Sequence, residues 1–358
     1  MNTSSRGKYA AILFSLAALL PVSLHAGTYS AIVAFGDSLT DTGNKYVATG
    51  LANTPPYDLL DAFRVPDGPY TRGGLHHSNG ATWIEQLSRP LGLAASVRPA
   101  LRTPGAASNY AYGGARARAG SPEPELVVLG CLEQNSNMHF PEQVSTFLAD
   151  VNLSAPADAL YVVFVGGNDV VDAVQALRCD PTGLTSVQQI VGEALVSLQD
   201  NIINLYLAGA RNFLVINSPD LGLTPAFNPP LNVPEAAGYG SCFSLLFNYG
   251  TLAGSPVPPA CRFLPGIPGL VDVVAGLQSS PMLPGIEITG IDVYSKFVQL
   301  VTAPLEGEPQ NGTDTCVMPN VPPYACKDAD NHVFWDGVHP TKASHDIISA
   351  VVEAALAD

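Results

Sequence analysis

Four short segments of the chain carry residue types that suit acyl-transfer chemistry. The first is Gly36-Asp37-Ser38-Leu39-Thr40-Asp41, directly after an apolar run. A serine at a strand-to-helix turn is exposed and close to backbone N–H groups that favour developing negative charge. Taken alone, Gly-Asp-Ser reads equally well as a capped turn. The second segment, Asn109-Tyr110-Ala111-Tyr112-Gly113-Gly114-Ala115-Arg116, sets a glycine pair after a short extended run. It reads as a backbone donor or as a tight loop. The third is Gly166-Gly167-Asn168-Asp169. Its glycines permit close backbone approach, and the Asn168 amide is an oxyanion donor or part of an ordinary Asn-Asp turn. The fourth is Trp335-Asp336-Gly337-Val338-His339-Pro340-Thr341. Here a carboxylate can hold the imidazole Nδ1–H and leave Nε2 free as the base that a serine hydroxyl needs. The bland alternative is a capping turn before a helix. His332, Asp336 and His339 also have a spacing that suits a metal on a helix, but Gly337 and Pro340 break any helix there. No Gly-x-Ser-x-Gly occurs, so the α/β-hydrolase nucleophile elbow is missing.

These segments matter only if secondary structure brings them together. Residues 30–35, 160–165 and 213–216 are short apolar runs that end in turn residues, and each reads as a buried strand. Residues 286–293 form a fourth candidate, interrupted by Gly290. Between the second and third, Val187, Ile190, Val191, Ala194, Leu195, Leu198, Ile202 and Leu205 fall on one helical face, with Thr185 as its cap and Gly209 as its stop. A C-terminal helix capped by Thr341 carries Ala343, Ile347, Val351 and Ala355, and residues 83–91 read as another helix. Apolar strands alternating with amphipathic helices imply a parallel sheet covered on both faces, with functional loops at the carboxyl ends of the strands. Residues 219–286 hold 21 Gly or Pro and only four charged residues, which reads as an ordered insertion bearing on one edge of the site.

Composition narrows the function classes. The formal net charge of −15 argues against nucleic-acid binding and against docking on anionic lipid. Arg6 and Lys8 precede an apolar stretch that ends at Leu24-His25-Ala26, the pattern of an export signal cleaved after Ala26. Residues 1–26 are therefore expected to be removed. Residues 27–358 are expected to form one domain without a membrane span, secreted or periplasmic. Six cysteines fit an oxidising compartment. Pairing in sequence order gives Cys131–Cys179, Cys242–Cys261 and Cys316–Cys326.

The four segments, in this order from Phe35 to Thr341, resemble the blocks of the GDSL, or SGNH, family of serine esterases and lipases. His77-Ser78-Asn79-Gly80 and Ser218-Pro219-Asp220-Leu221-Gly222 are similar to that family as well. The resemblance implies a flavodoxin-like α/β/α sandwich, three layers around a central parallel sheet, and catalysis without a cofactor. It places the nucleophile at Ser38 and the base at His339, with Asp336 as its partner. The oxyanion donors are then Ser38, Gly114 and Asn168. Gly114 is preferred to Gly113 because the family's glycine directly precedes a small residue. The implied substrate is a small-molecule or lipid ester, with lipase or esterase activity favoured by the apolar 219–286 segment. A sugar O-acetylesterase, a phospholipase or acyltransferase of the same fold, and a non-catalytic binding protein are the alternatives.

Overall fold

The structure is a computed structural model that describes residues 29–119, 138–179, 184–250 and 267–357. Runs rich in β-branched and aromatic residues form the strands, and all but the last, edge strand are buried on both faces. They are β1 (Ile32–Gly36), β2 (Leu160–Phe164), β3 (Asn212–Ile216) and β4 (Glu287–Ile291), paired in parallel in that order. Alternate residues point to opposite faces. Val33, Phe35, Tyr161, Val163, Phe213 and Val215 meet one helical layer, while Ile32, Ala34, Leu160, Val162, Leu214 and Ile216 meet the other. The first layer holds α3 (Phe140–Asp150), α4 (Gly167–Cys179), α5 (Leu184–Ala208), α6 (Pro234–Tyr249) and α7 (Leu270–Gln278). The second holds α2 (Trp83–Ser88) and α9 (Lys342–Ala357), and the short α1 (Asn44–Thr49) follows the Ser38 turn. The result is the expected α/β/α sandwich.

A further extended segment completes the sheet. Ser108 O accepts from Ala34 N–H, Tyr110 N–H donates to Ala34 O, and Tyr112 N–H donates to Gly36 O. Residues 108–112 therefore lie parallel to β1 on the side away from β2. In chain order the sheet then reads 2-1-3-4-5, the flavodoxin-like order. Its strand order reverses between β1 and β2, and at such a point the loops after the two strands diverge and leave a crevice. The Ser38 turn follows β1 and Asn168 follows β2.

Several boundaries differ from expectation. The fourth strand stops at Ile291, because Asp292 accepts from Ser295 N–H and so caps α8 (Val293–Thr302). Thr185 lies inside α5, which begins at Leu184, and so is not its cap. The helix near Trp83 ends at Ser88 and is opened by a capping box between Thr82 and Glu85. Thr341 does cap α9, accepting from Ser344 N–H. The 219–286 segment is the β3–β4 crossover. It contributes α6 and α7 to the core, and its residues 251–266 lie outside the described set. Proline in the first turn of α6 is compatible with a helix start. Cys316 and Cys326 form a disulfide. Cys242 is also disulfide-bonded. The pairings expected for it and for Cys179 involve Cys261 and Cys131, which lie outside the described residues, as does the 1–26 segment.

Candidate active site

The loop after β1 presents Ser38, half-buried, with its Oγ 2.9 Å from His339 Nε2. His339 Nδ1 lies 2.8 Å from Asp336 Oδ2 and 3.0 Å from Oδ1. Asp336 is fully buried, yet every side of its carboxylate is used. Oδ1 accepts from the backbone N–H groups of Val338 and His339, and Oδ2 accepts from the Tyr70 hydroxyl at 2.8 Å. Tyr70 stands edge-on to Trp335, its hydroxyl held well above the usual phenol range by burial and by Asp336. It remains a donor throughout the ordinary pH range. The His339 loop is thus stiffened by its own acid partner, three residues back, and by a tyrosine that sequence reasoning did not single out.

Gly114 and Asn168 face the same cavity as Ser38. Gly114 has φ of +85°, a conformation that glycine adopts without steric cost. Among the described residues, the N–H groups of Ser38 and Gly114 donate to nothing. Asn168 sits in the first turn of α4 and spends one amide hydrogen on Ala115 O at 2.8 Å, leaving the other free. Gly166, just before it, has φ of +133°, and a Cβ there would lie 2.2 Å from the Phe247 ring. The serine turn, the glycine pair and the asparagine therefore line one cavity. Such an arrangement can activate a hydroxyl and hold a developing oxyanion.

What fixes these loops is a set of buried side chains to which the sequence assigned no role. Asp41 accepts from the N–H groups of Gly43, Asn44, Lys45 and Gly113, tying the serine turn to the glycine pair. Gln143 accepts from Gly36 N–H and donates to Gly36 O, closing the end of β1 as a neighbouring strand would. Asp169 accepts from Ala117 N–H and pairs with Arg118, and Asp172 pairs with both Arg116 and Arg118. Arg116 also donates to Gly114 O. Two cations and two anions buried together satisfy one another, which isolated charges at this depth would not. Burial pushes Asp169 up to about 6, with Arg118 opposing. Asp37, beside the serine, is pushed up to about 7 by burial, against the Leu39 N–H and His339.

The cavity has a volume of about 410 Å³. Phe63, Val65, Leu221, Phe227 and Val338 give it an apolar wall, and Lys45, Asp67 and Arg116 line it beside the glycine pair. The crossover segment reaches the site through Leu221 and Phe227, on the edge where the sequence placed it. His332 is engaged elsewhere, with Asp328 O at 2.8 Å and Asn311 Nδ2 at 3.2 Å. Among the described residues no three His, Cys, Asp or Glu side chains gather as metal ligands.

A serine, an imidazole and a buried carboxylate are hydrogen-bonded in sequence at the strand ends of a flavodoxin-like sandwich, an arrangement that can serve nucleophilic chemistry. Comparison with known sequences agrees. The family model of GDSL-like lipases and acylhydrolases matches residues 32–352. The chain belongs to that family and is a carboxylic ester hydrolase of the GDSL type. It is 26% identical to a GDSL esterase/lipase of Arabidopsis thaliana over 94% of this chain and 95% of that protein. A second Arabidopsis GDSL esterase/lipase is 25% identical over 90% of this chain and 88% of its own length. The thermolabile hemolysin of Vibrio parahaemolyticus is 25% identical over 88% of this chain and 60% of the hemolysin.

Proposed function

We propose that the chain is an exported serine esterase or lipase that works through an acyl-enzyme on Ser38. The observation that carries this reading is the line from Ser38 Oγ to His339 Nε2 at 2.9 Å and from His339 Nδ1 to Asp336 at 2.8 Å. His339 Nε2 takes the hydroxyl proton as Ser38 Oγ attacks the ester carbonyl. The carbonyl oxygen becomes an oxyanion against the Ser38 and Gly114 N–H groups and the free Asn168 amide hydrogen. The tetrahedral intermediate collapses, the carbon–oxygen bond to the alcohol breaks, and His339 returns the proton to the leaving oxygen. Water then attacks the acyl-enzyme with the same base, releasing the acid and restoring Ser38. The apolar wall around Phe63, Leu221 and Phe227 supports an acyl-ester substrate. Export rests on the signal pattern of residues 1–26 and on cysteines that are disulfide-bonded. No described helix is long and apolar enough to cross a membrane.

The test is active-site labelling. A fluorophosphonate should label the purified protein at Ser38, and Ser38→Ala should abolish both labelling and turnover of nitrophenyl esters. The rate should fall by about 10⁴-fold or more while the fold persists. Near-normal turnover by Ser38→Ala would end this reading.

A further inference from the structure

His77 is a buried side chain beside the reacting centre that the mechanism leaves unused. It is 3% exposed, lines the cavity, and its ring centroid lies 5.2 Å from that of His339. On its other side it abuts the glycine pair. A Cβ at Gly113 would lie 2.4 Å from His77 Cε1 and 2.8 Å from Nε2. The imidazole is therefore wedged between the base and the turn that presents Gly114. Among the described residues neither ring nitrogen has a hydrogen-bond partner, and Nδ1 is sealed from solvent as well. Buried polar atoms in native proteins are nearly always paired, so an unpaired imidazole at a reacting centre calls for a partner that the free protein does not supply.

The chemistry of the proposed reaction says which part of a substrate lies there. This step rests on the acyl-enzyme reading above. The proton held by His339 Nε2 must reach the leaving oxygen, so that oxygen lies within hydrogen-bond distance of Nε2. The alcohol portion of the ester then continues along the His339 side of the cavity, where His77 stands. Burial, His339 and Lys45 all hold the His77 imidazole well below its usual range, so it is neutral at ordinary pH. Nδ1 is closed off, so Nε2 is the nitrogen that a bound molecule can reach, and a hydroxyl, which both donates and accepts, complements it in either neutral tautomer. The surroundings are polar too. Lys45 Nζ donates to Gly113 O at 3.1 Å, and Lys45 and Asp67 line the same end of the cavity.

We propose that His77 is a substrate-contacting residue that hydrogen-bonds a hydroxyl on the alcohol portion of the ester. The preferred substrates are then acyl esters of polyhydric alcohols such as glycerol. The enzyme discriminates by what the alcohol carries next to the scissile bond, separately from how its apolar wall reads the acyl chain.

The experiment compares two esters with one acyl group, monooctanoylglycerol and 4-nitrophenyl octanoate, which share an acyl-enzyme and differ only in the alcohol. His77→Phe keeps a flat ring against His339 and Gly113 but removes both nitrogens. It should lower kcat/KM for the glycerol ester by about five- to tenfold, the worth of one neutral hydrogen bond, and leave the nitrophenyl ester within twofold. His77→Gln, which retains a donor and an acceptor, should recover a large part of the glycerol-ester rate relative to His77→Phe. An equal loss on both esters would overturn the proposal, because His77 would then act by packing on His339. An unchanged glycerol-ester rate would overturn it as well. If His77→Phe does not fold, judged by its unfolding midpoint and Ser38 labelling, His77→Gln and His77→Asn are compared with the unmodified protein. Selective retention of the glycerol-ester preference in His77→Gln supports the contact, and its absence in both variants refutes it. Failure of the serine mechanism has a different signature, namely no fluorophosphonate labelling and no turnover of either ester by the unmodified protein.

Discussion

Replacing Asp336 by asparagine changes the chemistry of one atom and almost none of the volume, and the surrounding hydrogen bonds dictate the result. Two backbone N–H groups, from Val338 and His339, point at Oδ1. Neither can accept, so the amide oxygen of the variant must occupy the Oδ1 position. The NH₂ group is then forced into the Oδ2 position, where it faces His339 Nδ1 and the Tyr70 hydroxyl, now at 2.8 Å each. An NH₂ group only donates. His339 Nδ1 must therefore become an acceptor, and the ring proton moves to Nε2, the nitrogen 2.9 Å from Ser38 Oγ. In that tautomer the imidazole cannot take the serine proton. The four hydrogen bonds survive, with Tyr70 turning to accept, so stability should change by only about 1 kcal/mol. The rate should not survive. A wrong tautomer in an intact triad costs roughly 10⁴-fold in kcat, about 5 kcal/mol of barrier. The assay is kcat on 4-nitrophenyl octanoate beside a thermal or denaturant unfolding curve. A stable Asp336→Asn protein with kcat within tenfold of the unmodified enzyme would refute the hydrogen-bond reasoning, because it would mean that Asp336 does not choose the tautomer.

Asn168→Ala should lower kcat by about 10²–10³-fold with KM little changed, since its free amide hydrogen serves charge that exists only in the transition state. A loss lying wholly in KM would place Asn168 in substrate binding. Acid should weaken the fold through His345, which is 1% exposed and held by burial at about 3. Its folded-state pKa lies below the unfolded value near 6.5, so as pH falls below 6.5 the unfolded chain binds a proton that the folded chain does not. Stability is therefore unaffected above about pH 7 and lost on acidification. Between pH 7 and pH 5 this amounts to about 2 kcal/mol. The raised carboxyls of Asp37 and Asp169 act in the opposite sense, so the clean measurement is a difference. The stability of His345→Phe relative to the unmodified protein should improve by about 2 kcal/mol from pH 7 to pH 5. A difference that stays constant across that range would show that His345 titrates normally.

The strands and their functional ends were legible because their signals are local. Apolar runs such as 160–165 cannot be anything but buried, and glycine or Asp-Ser immediately after them marks the carboxyl end. That placed Ser38 and Asn168 at strand ends without any tertiary information, the spacing of Asp336 and His339 marked their loop, and the longest amphipathic helix, α5, announced itself by its repeat. The C-terminal helix α9 and, in part, α2 did so too, but α6 and α7 did not. In α6, small and apolar residues such as Ala236, Cys242 and Phe247 are buried, because this helix packs between neighbours and has no plainly wet face to give a period. Residues 108–112 are too short and irregular to read as a strand, yet they turn a simple strand order into the flavodoxin-like one. The roles of Tyr70, Asp41, Gln143 and His77 were not legible for a different reason. Each acts at least partly through a partner distant in sequence, Asp336 for Tyr70, Gly36 for Gln143 and Gly113 for Asp41, and no spacing rule reports such a contact.

Where the buried polar groups lie explains how so lightly charged a chain builds this site. Asp37, Asp41, Arg116, Arg118, Asp169, Asp172 and Asp336 are all nearly or fully buried, and each falls in a loop or helix start that follows one of the strands or precedes α9. The three strands β1 to β3 are filled with aliphatic and aromatic side chains on both faces and contribute no charge. A loop at the end of such a sheet has backbone N–H groups without ladder partners, and a carboxylate is the acceptor that satisfies several at once. Asp41 takes four of them and Asp336 takes two. The same anions that would be costly in the core are therefore the means by which irregular backbone is held rigid at the sheet's edge. Rigid loops are also what the proposed chemistry needs. Oxyanion donors act only if they are aimed before the charge appears, and a loop free to follow the substrate would give most of that advantage back. On this argument the seven buried ionisable residues are less a cost of the active site than its scaffold. Ser38, Gly114, Asn168 and His339 hold their positions because the charges behind them are paired to backbone and to one another.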